Sequence, residues 1–371
     1  MAKIAHLTSV HAAFDIRIFH KECKSLARHG HQVTLVVPHV RDEVVGGVCI
    51  KSIPRLRHRL SRMTRTTWRV FRQALRAKAD LYHFHDPELI PVGLLLVLLG
   101  RKVVYDVHED FPLDILSKYY LPAWLRMPIA WFVRAVEAVG AACFSGLVTV
   151  TPNIAHRFKT YNSSTVVVHN YPRLQELGPT RSFWQTRQSA VAYVGGMLVE
   201  RGVREMVKAM VLLPDHLHAT LELARDDFPD GLYEEVSAYP GWAKVRDWGS
   251  VDRAQIADIL GRVRGGLVLF HPEPNNIRAM PHKLFEYMAA SIPVIASDFP
   301  LWRSIIEGAK CGLLVNPFDP HAIAQAVEYV LTHPDEAEQM GKQGRAAVEK
   351  QYNWEMQEEV LFNLYTNVLA A

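Results

Sequence analysis

The sequence is poor in features that would make its chain secreted, membrane-spanning or metal-dependent. Its cysteines, Cys23, Cys49, Cys143 and Cys311, lie far apart with no Cys-x-x-Cys pair. Neither a disulfide framework nor a zinc knuckle is expected, and a reducing compartment follows. The longest uncharged apolar run, Leu89 to Gly100, falls short of the roughly 20 residues that a spanning helix needs. The opening MAKIAHLTSV passes into a strand without an apolar signal core, so export is not expected either. There is no low-complexity tract, no His-Glu-x-x-His pattern and no Asp-x-Asp triplet, and a catalytic metal is not anticipated.

One more absence is local. Between Glu43 and Asp80 no acidic residue occurs, while Arg55, Arg57, Arg59, Arg62, Arg65, Arg69, Arg72, Arg76 and Lys78 all fall there. Leu56, Leu60, Met63, Val70, Phe71 and Leu75 recur within this run at helical spacing. The pattern predicts a cationic amphipathic helix over Arg55–Lys78, with its apolar stripe on its own domain. The basic face fits an anionic membrane surface, with plain solvation as the alternative. Nucleic acid is not expected, because no helix-turn-helix, zinc-finger or aromatic-basic signature accompanies it.

What remains is an ordinary globular composition, 49% apolar and 22% charged with a formal net charge of +4, over 371 residues. That length suits two domains. Strands and helices alternate: strands at Lys3–Thr8, Gln32–Val37, Leu81–His85, Lys102–Val107, Leu147–Thr149 and Val166–His169 are interleaved with helices at Ile16–His29, from Leu89 and from Trp124. Periodicity fades over 173–189, and the theme then resumes with strands at Ala190–Val194 and Ala219–Leu223 and helices from Val203 and Asp252. The expectation is an α/β protein of two Rossmann-like, doubly wound parallel-sheet domains facing a cleft. The domains are 1–172 and 190–352, joined by a linker at 173–189, with a C-terminal helix at 353–371 packing back toward the first domain.

The most informative stretch is Leu267 to Pro300: a strand at Leu267–Phe270, a polar turn with Asn275 and Asn276, a helix opening near Pro281, and a strand at Pro293–Ser297. In such units ligands sit beyond the carboxyl ends of the strands, and a helix start offers free N–H groups to an anion. Glu286, about one turn into the helix, could reach back and accept two hydrogen bonds from a sugar diol, or could cap the helix or face solvent. Gly195-Gly196 after a strand would let a ligand approach the backbone, and Arg201 would bring positive charge to a diphosphate; a tight turn is the alternative. In the first half, His11, Asp15 and Arg17 stand in the loop after the first strand, His85 ends another, and Asp106 and His108 share one face by period-two alternation.

In shared order, HGHQVTLVVP, VYDVHED, VVHNYP, YVGGMLVERGV, KLFEYMAASIPVIASDFP, CGLLVNPFDP and YNWEMQEEVLFNLY give the chain, over nearly its full length, a resemblance to GT-B fold glycosyltransferases. It most resembles family 4 of retaining, nucleotide-sugar-dependent enzymes. The resemblance implies transfer of a hexose from a UDP-sugar to a saccharide or lipid-linked saccharide in cell-surface polysaccharide assembly. No cofactor or metal is implied. The place of work would be the cytoplasm, peripheral to the inner face of the membrane.

The resemblance further implies Glu286 for the ribose hydroxyls, Arg201 for the phosphates and His108 beside the transferred sugar. Gly195, Gly196, Asn275, Asn276, Arg278 and Lys283 complete the donor side, and His11, Asp15, Arg17 and His85 the acceptor side. Tyr119, Tyr120, Trp124, Trp131 and Phe132 would line the acceptor's approach, with core packing the alternative. Three departures stand out: Arg278 where the family has the first glutamate of Glu-x7-Glu, Gly196 where it has arginine, and a first loop without Gly-Gly. They leave open an epimerase of similar fold and a non-catalytic nucleotide-sugar-binding partner subunit.

Overall fold

A computed structural model describes residues 1–56, 61–117, 121–177, 184–225 and 228–371. Arg57, Arg59, Leu60, Tyr119 and Tyr120 lie outside them, as do 178–183 of the anticipated linker. The chain divides into two compact units, Met1–Asn170 with Met356–Ala371, and Tyr171–Glu355.

The first unit holds strands β1 (Lys3–Leu7), β2 (Gln32–Pro38), β3 (Glu43–Val45), β4 (Val48–Ile53), β5 (Leu81–Phe84), β6 (Lys102–Val107), β7 (Gly146–Thr149) and β8 (Thr165–Val167). They form one sheet in the order β3-β4-β2-β1-β5-β6-β7-β8, parallel throughout except where β3 pairs with β4. The β3–β4 hairpin was not anticipated. Its signal is the Gly46-Gly47 turn, whose φ values of 57° and 82° suit a two-residue hairpin loop.

The two sheet faces differ sharply in chemistry. Ala5, Leu7, Tyr82, Phe84, Val103 and Tyr105 point to one side and join Val70, Phe71, Ile90 and Phe144 in an apolar core. The alternate residues His6, His83, His85 and Asp106 point to the other, and all are buried. His6 stands opposite His83 in the β1–β5 register. Covering them is the Ile16–Cys23 segment, a π-helix that tightens into an α-helix at Lys24–Arg28; the Asp15 carboxylate caps it by accepting from the Arg17 and Ile18 amides.

Of the expected cationic helix, a π-helix over Arg62–Thr66 and an α-helix over Thr67–Ala77 are described, and Arg55 and Leu56 lie outside them. Val70, Phe71 and Ala74 are its buried stripe, while Met63, Trp68 and Leu75 are exposed among exposed Arg65, Arg69, Arg72 and Arg76. In the Ala123–Cys143 helix, Trp124, Trp131 and Phe132 are 75%, 65% and 69% exposed, so core packing is not their role. No described helix is long and apolar enough to cross a membrane.

The second unit holds β9 (Ala190–Val194), β10 (Thr220–Ala224), β11 (Val245–Gly249), β12 (Gly265–Val268), β13 (Val294–Ser297) and β14 (Gly312–Val315). They run parallel in the order β11-β10-β9-β12-β13-β14. This is the dinucleotide-binding order, whose switch point falls between β9 and β12. β12 starts and ends two residues earlier than Leu267–Phe270. Gly266 belongs inside it because the Tyr287 ring lies 2.3 Å from where a Cβ would sit. The 173–189 stretch packs on this unit rather than hanging free: Leu177 and Trp184 join its core, and the buried Arg187 donates to the Val263 carbonyl at 2.9 Å.

Candidate functional site

In the second unit the candidate residues gather at the switch point. β9 is followed by Gly195, whose φ of 128° few other residues adopt and whose amide donates to the Ala224 carbonyl at 2.9 Å. A Cβ on Gly195 would stand 3.0 Å from the Lys283 ammonium. The missing side chain therefore leaves the backbone and that charge side by side. Lys283 is buried, 3.8 Å from the Tyr193 ring centre and 5.3 Å from that of Phe270. The Arg201 guanidinium lies 5.0 Å from the same Phe270 ring. Gly202 follows it at φ 74°, and a Cβ there would lie 2.2 Å from the Leu269 carbonyl, so only glycine lets this turn approach β12. Gly196 uses its carbonyl to accept from the Tyr193 hydroxyl at 2.7 Å.

The loop beyond β12 is tied to the same turn. The His271 amide donates to the Glu200 carbonyl at 2.8 Å, and the Asn276 side chain donates to the His271 carbonyl at 3.1 Å. Asn275 and Arg278 lie on the short Pro274–Arg278 helix, where Arg278 is exposed. The next helix, His282–Ala289, is capped at Pro281 without a side-chain hydrogen bond.

Glu286 Oε2 lies 3.9 Å from His282 Nε2, and the carboxylate is engaged in a way spacing does not reveal. Arg253 Nη1 donates to its Oε1 at 2.6 Å, and Arg253 Nη2 donates to Glu176 at 3.2 Å. Burial disfavours the charge on Arg253, yet these two carboxylates raise its pKa.

The first unit brings His11, Asp15, Arg17, His85 and His108 together beside the β1–β5 switch point. Asp86 ties the two strand ends: its carboxylate accepts from the Thr8 hydroxyl at 2.9 Å and the Ser9 amide at 2.6 Å. His11 Nδ1 lies 3.4 Å from Asp15 and its Nε2 3.4 Å from Asp86, with its ring 5.1 Å from that of His108. His108 Nε2 is 3.1 Å from Asp106 Oδ2 and 3.2 Å from His85 Nδ1. Arg17 donates twice to Asp106, at 2.9 and 3.0 Å, and once to the Val168 carbonyl at 2.9 Å.

Burial opposes the Asp106 charge, but Arg17 and His108 hold its carboxyl well below the usual range. Burial pushes His6 and His83 well below the ordinary imidazole value, and His85 down to about 4. Glu22 is driven well above the carboxylate range, first by burial and then by Asp106.

The acceptor-side residues differ in exposure. Arg17 and His85 are only 4% and 2% exposed and are engaged with Asp106. His11, Asp15 and His108, with side chains 29%, 27% and 20% exposed, are the members a ligand can touch. Glu22 and His6 escaped the sequence reading. The alternation of His83 and His85 with Tyr82 and Phe84 was the available signal for a polar sheet face.

Residues 17–171 match the family model described as Glycosyltransferase Family 4, and residues 179–347 match that described as Glycosyl transferases group 1. A glycogen synthase of Mycobacterium tuberculosis is 25% identical over 46% of this chain and 41% of its own length, so the chain spans about two fifths of that relative. D-rhamnosyltransferase WbpZ of Pseudomonas aeruginosa is 24% identical over 75% of this chain and 71% of its own. Among solved structures, sucrose-phosphate synthase from Thermosynechococcus elongatus superposes with a TM-score of 0.77 at 20% identity, all of both chains being covered. Anabaena HepE in complex with UDP-glucose gives 0.73 at 13%, over 99% of this chain and 100% of its own. Such likeness fixes the fold as that of the GT-B glycosyltransferases.

Proposed function

We propose that this GT-B-fold chain is a retaining glycosyltransferase that moves a hexose from a UDP-sugar to a hydroxyl of a saccharide or lipid-linked saccharide. The observation that carries the reading is the pairing of Gly195 with the Lys283 ammonium, 3.0 Å from the position a Cβ would take, at the switch point of a dinucleotide-type sheet. A diphosphate brought to that backbone meets Lys283 and Arg201, and the His282–Ala289 helix start adds its N–H groups. Glu286 is assigned the ribose hydroxyls. In the first unit, His11, Asp15 and His108 are assigned to the acceptor and the transferred sugar.

The chemistry asked of these residues is electrostatic. As the bond between the anomeric carbon and the diphosphate oxygen breaks, negative charge gathers on the leaving group, and Lys283 and Arg201 stabilise it. The acceptor oxygen bonds to the anomeric carbon from the same face, and its proton passes to the departing phosphate oxygen. The UDP choice draws support from the UDP-glucose complex of HepE. The peripheral membrane location draws on the exposed arginines of the 62–77 helix.

The test is to incubate the protein with a panel of nucleotide sugars, with and without saccharide acceptors, and to measure free nucleotide. Release that depends on acceptor is expected. Isomerised donor would indicate an epimerase, and nucleotide binding without turnover a partner subunit; either result would refute the proposal.

A further inference from the structure

We infer that the first unit carries a buried divalent-metal site, best suited to zinc, formed by His6, Glu22, His83 and His85. Each offers a ligand atom, and the set lies within 4.8 Å of one another. His6 Nδ1 is 2.9 Å from His85 Nε2, and these are 3.7 and 3.8 Å from Glu22 Oε2. A tetrahedral zinc bound at about 2.0–2.1 Å requires ligand separations of about 3.3 Å. The spacings among His6, His85 and Glu22 bracket that value, and His83 lies within the same 4.8 Å span, so the four side chains are grouped closely enough to close on an ion.

The outward-facing nitrogens make the stronger argument. A metal-binding imidazole is normally oriented by a hydrogen bond from its other ring nitrogen to an oxygen. Here His6 Nε2 faces the Tyr365 hydroxyl at 3.3 Å, His83 Nδ1 contacts that same hydroxyl, and His85 Nδ1 faces Asp106 Oδ2 at 3.3 Å. All three outer nitrogens thus have an oxygen to hold them, leaving the inner lone pairs turned toward Glu22. His83 Nε2, wholly buried, has no hydrogen-bond partner among the described residues, which is costly unless something fills the space before it.

Charge points the same way. Arg17 approaches Glu22 Oε1 at 3.1 Å, but its fork is engaged on Asp106. The buried Glu22 and Asp106 carboxylates therefore share one guanidinium, and a cation beside Glu22 Oε2 supplies what is missing. An imidazole-rich set with one carboxylate is the donor chemistry of zinc rather than of magnesium or calcium. All four ligands are fully buried, leaving no position open to substrate, so the ion staples β1, β5 and the Ile16–Cys23 segment and takes no part in sugar transfer.

The untagged full chain, grown with zinc and gel-filtered, should hold about one equivalent by elemental analysis. Cobalt(II) in its place should show the visible bands of a tetrahedral nitrogen-oxygen site. A strong chelator should lower the melting temperature, and added zinc should restore it. Glu22→Gln and His83→Gln should each lower the zinc content several-fold. If the folded wild-type chain holds no stoichiometric metal and its melting ignores both zinc and chelator, a proton on Glu22 balances the charge and the site does not exist. Undiminished zinc in both variants would equally overturn it. Should a variant fail to fold, the wild-type metal content, cobalt spectrum and chelator response still decide.

Discussion

At the level of single residues, Glu286 has the most to decide. Arg253 fills one of its oxygens at 2.6 Å, so a nucleoside must displace or share that bond. Glu286→Gln should weaken UDP binding about tenfold or more, the scale of a lost charge-assisted hydrogen bond, with the fold retained by circular dichroism. Calorimetry showing unchanged UDP affinity would remove Glu286 from the donor pocket. Arg253 could not have been foreseen, because it stands 33 residues from Glu286 and 77 from Glu176 and no local spacing links them.

His11 offers a second single-residue prediction. Burial lowers its pKa, but the hydrogen bond to Asp15 and the charges of Asp86 and Asp106 prevail and raise it above 6.5. A base whose folded pKa is raised stabilises fully below its unfolded value and loses that contribution as pH climbs through the folded one. For Asp15 burial again opposes, but His11 and the Ile18 amide depress its pKa, so its share is lost only in acid. The melting-temperature gap between wild type and His11→Gln should be widest near about pH 5–6 and shrink toward about pH 8. A gap independent of pH would dissolve the ion pair.

Elements were legible in proportion to how strongly burial shaped them. β9 is an apolar run, AVAYV, and β6, KVVYDV, is buried from Val103 onward, and both fall where periodicity puts them. β11 is a half-exposed edge strand, VRDWG, and gives no such run. The β3–β4 hairpin is hidden because β3 is only three residues, EVV, with none buried, and offers no alternation to read. The π-turns at Ile16–Cys23 and Arg62–Thr66 are short, and over so few residues an apolar pattern does not separate i→i+5 from i→i+4 bonding.

The helix at 62–77 also makes a prediction as a unit. Its exposed Arg65, Arg69, Arg72 and Arg76 should attach the protein to phosphatidylglycerol vesicles and not to neutral ones, by about 1 kcal/mol for each arginine near the surface. Replacing all of them with glutamine should abolish co-sedimentation. Equal binding by the variant would end the membrane proposal for this helix.

For the whole molecule, two parallel-sheet units follow from length and alternation, and the expectation for 353–371 is a helix packing back toward the first domain. Residues Met356–Ala371 group with Met1–Asn170. Leu361 and Leu364 are buried there, and Tyr365 reaches His83 and His6. Cutting the chain between Glu355 and Met356 would therefore uncover His6 and His83, yet leave every strand of the second sheet in place. The break would be felt in the unit farther from it along the sequence.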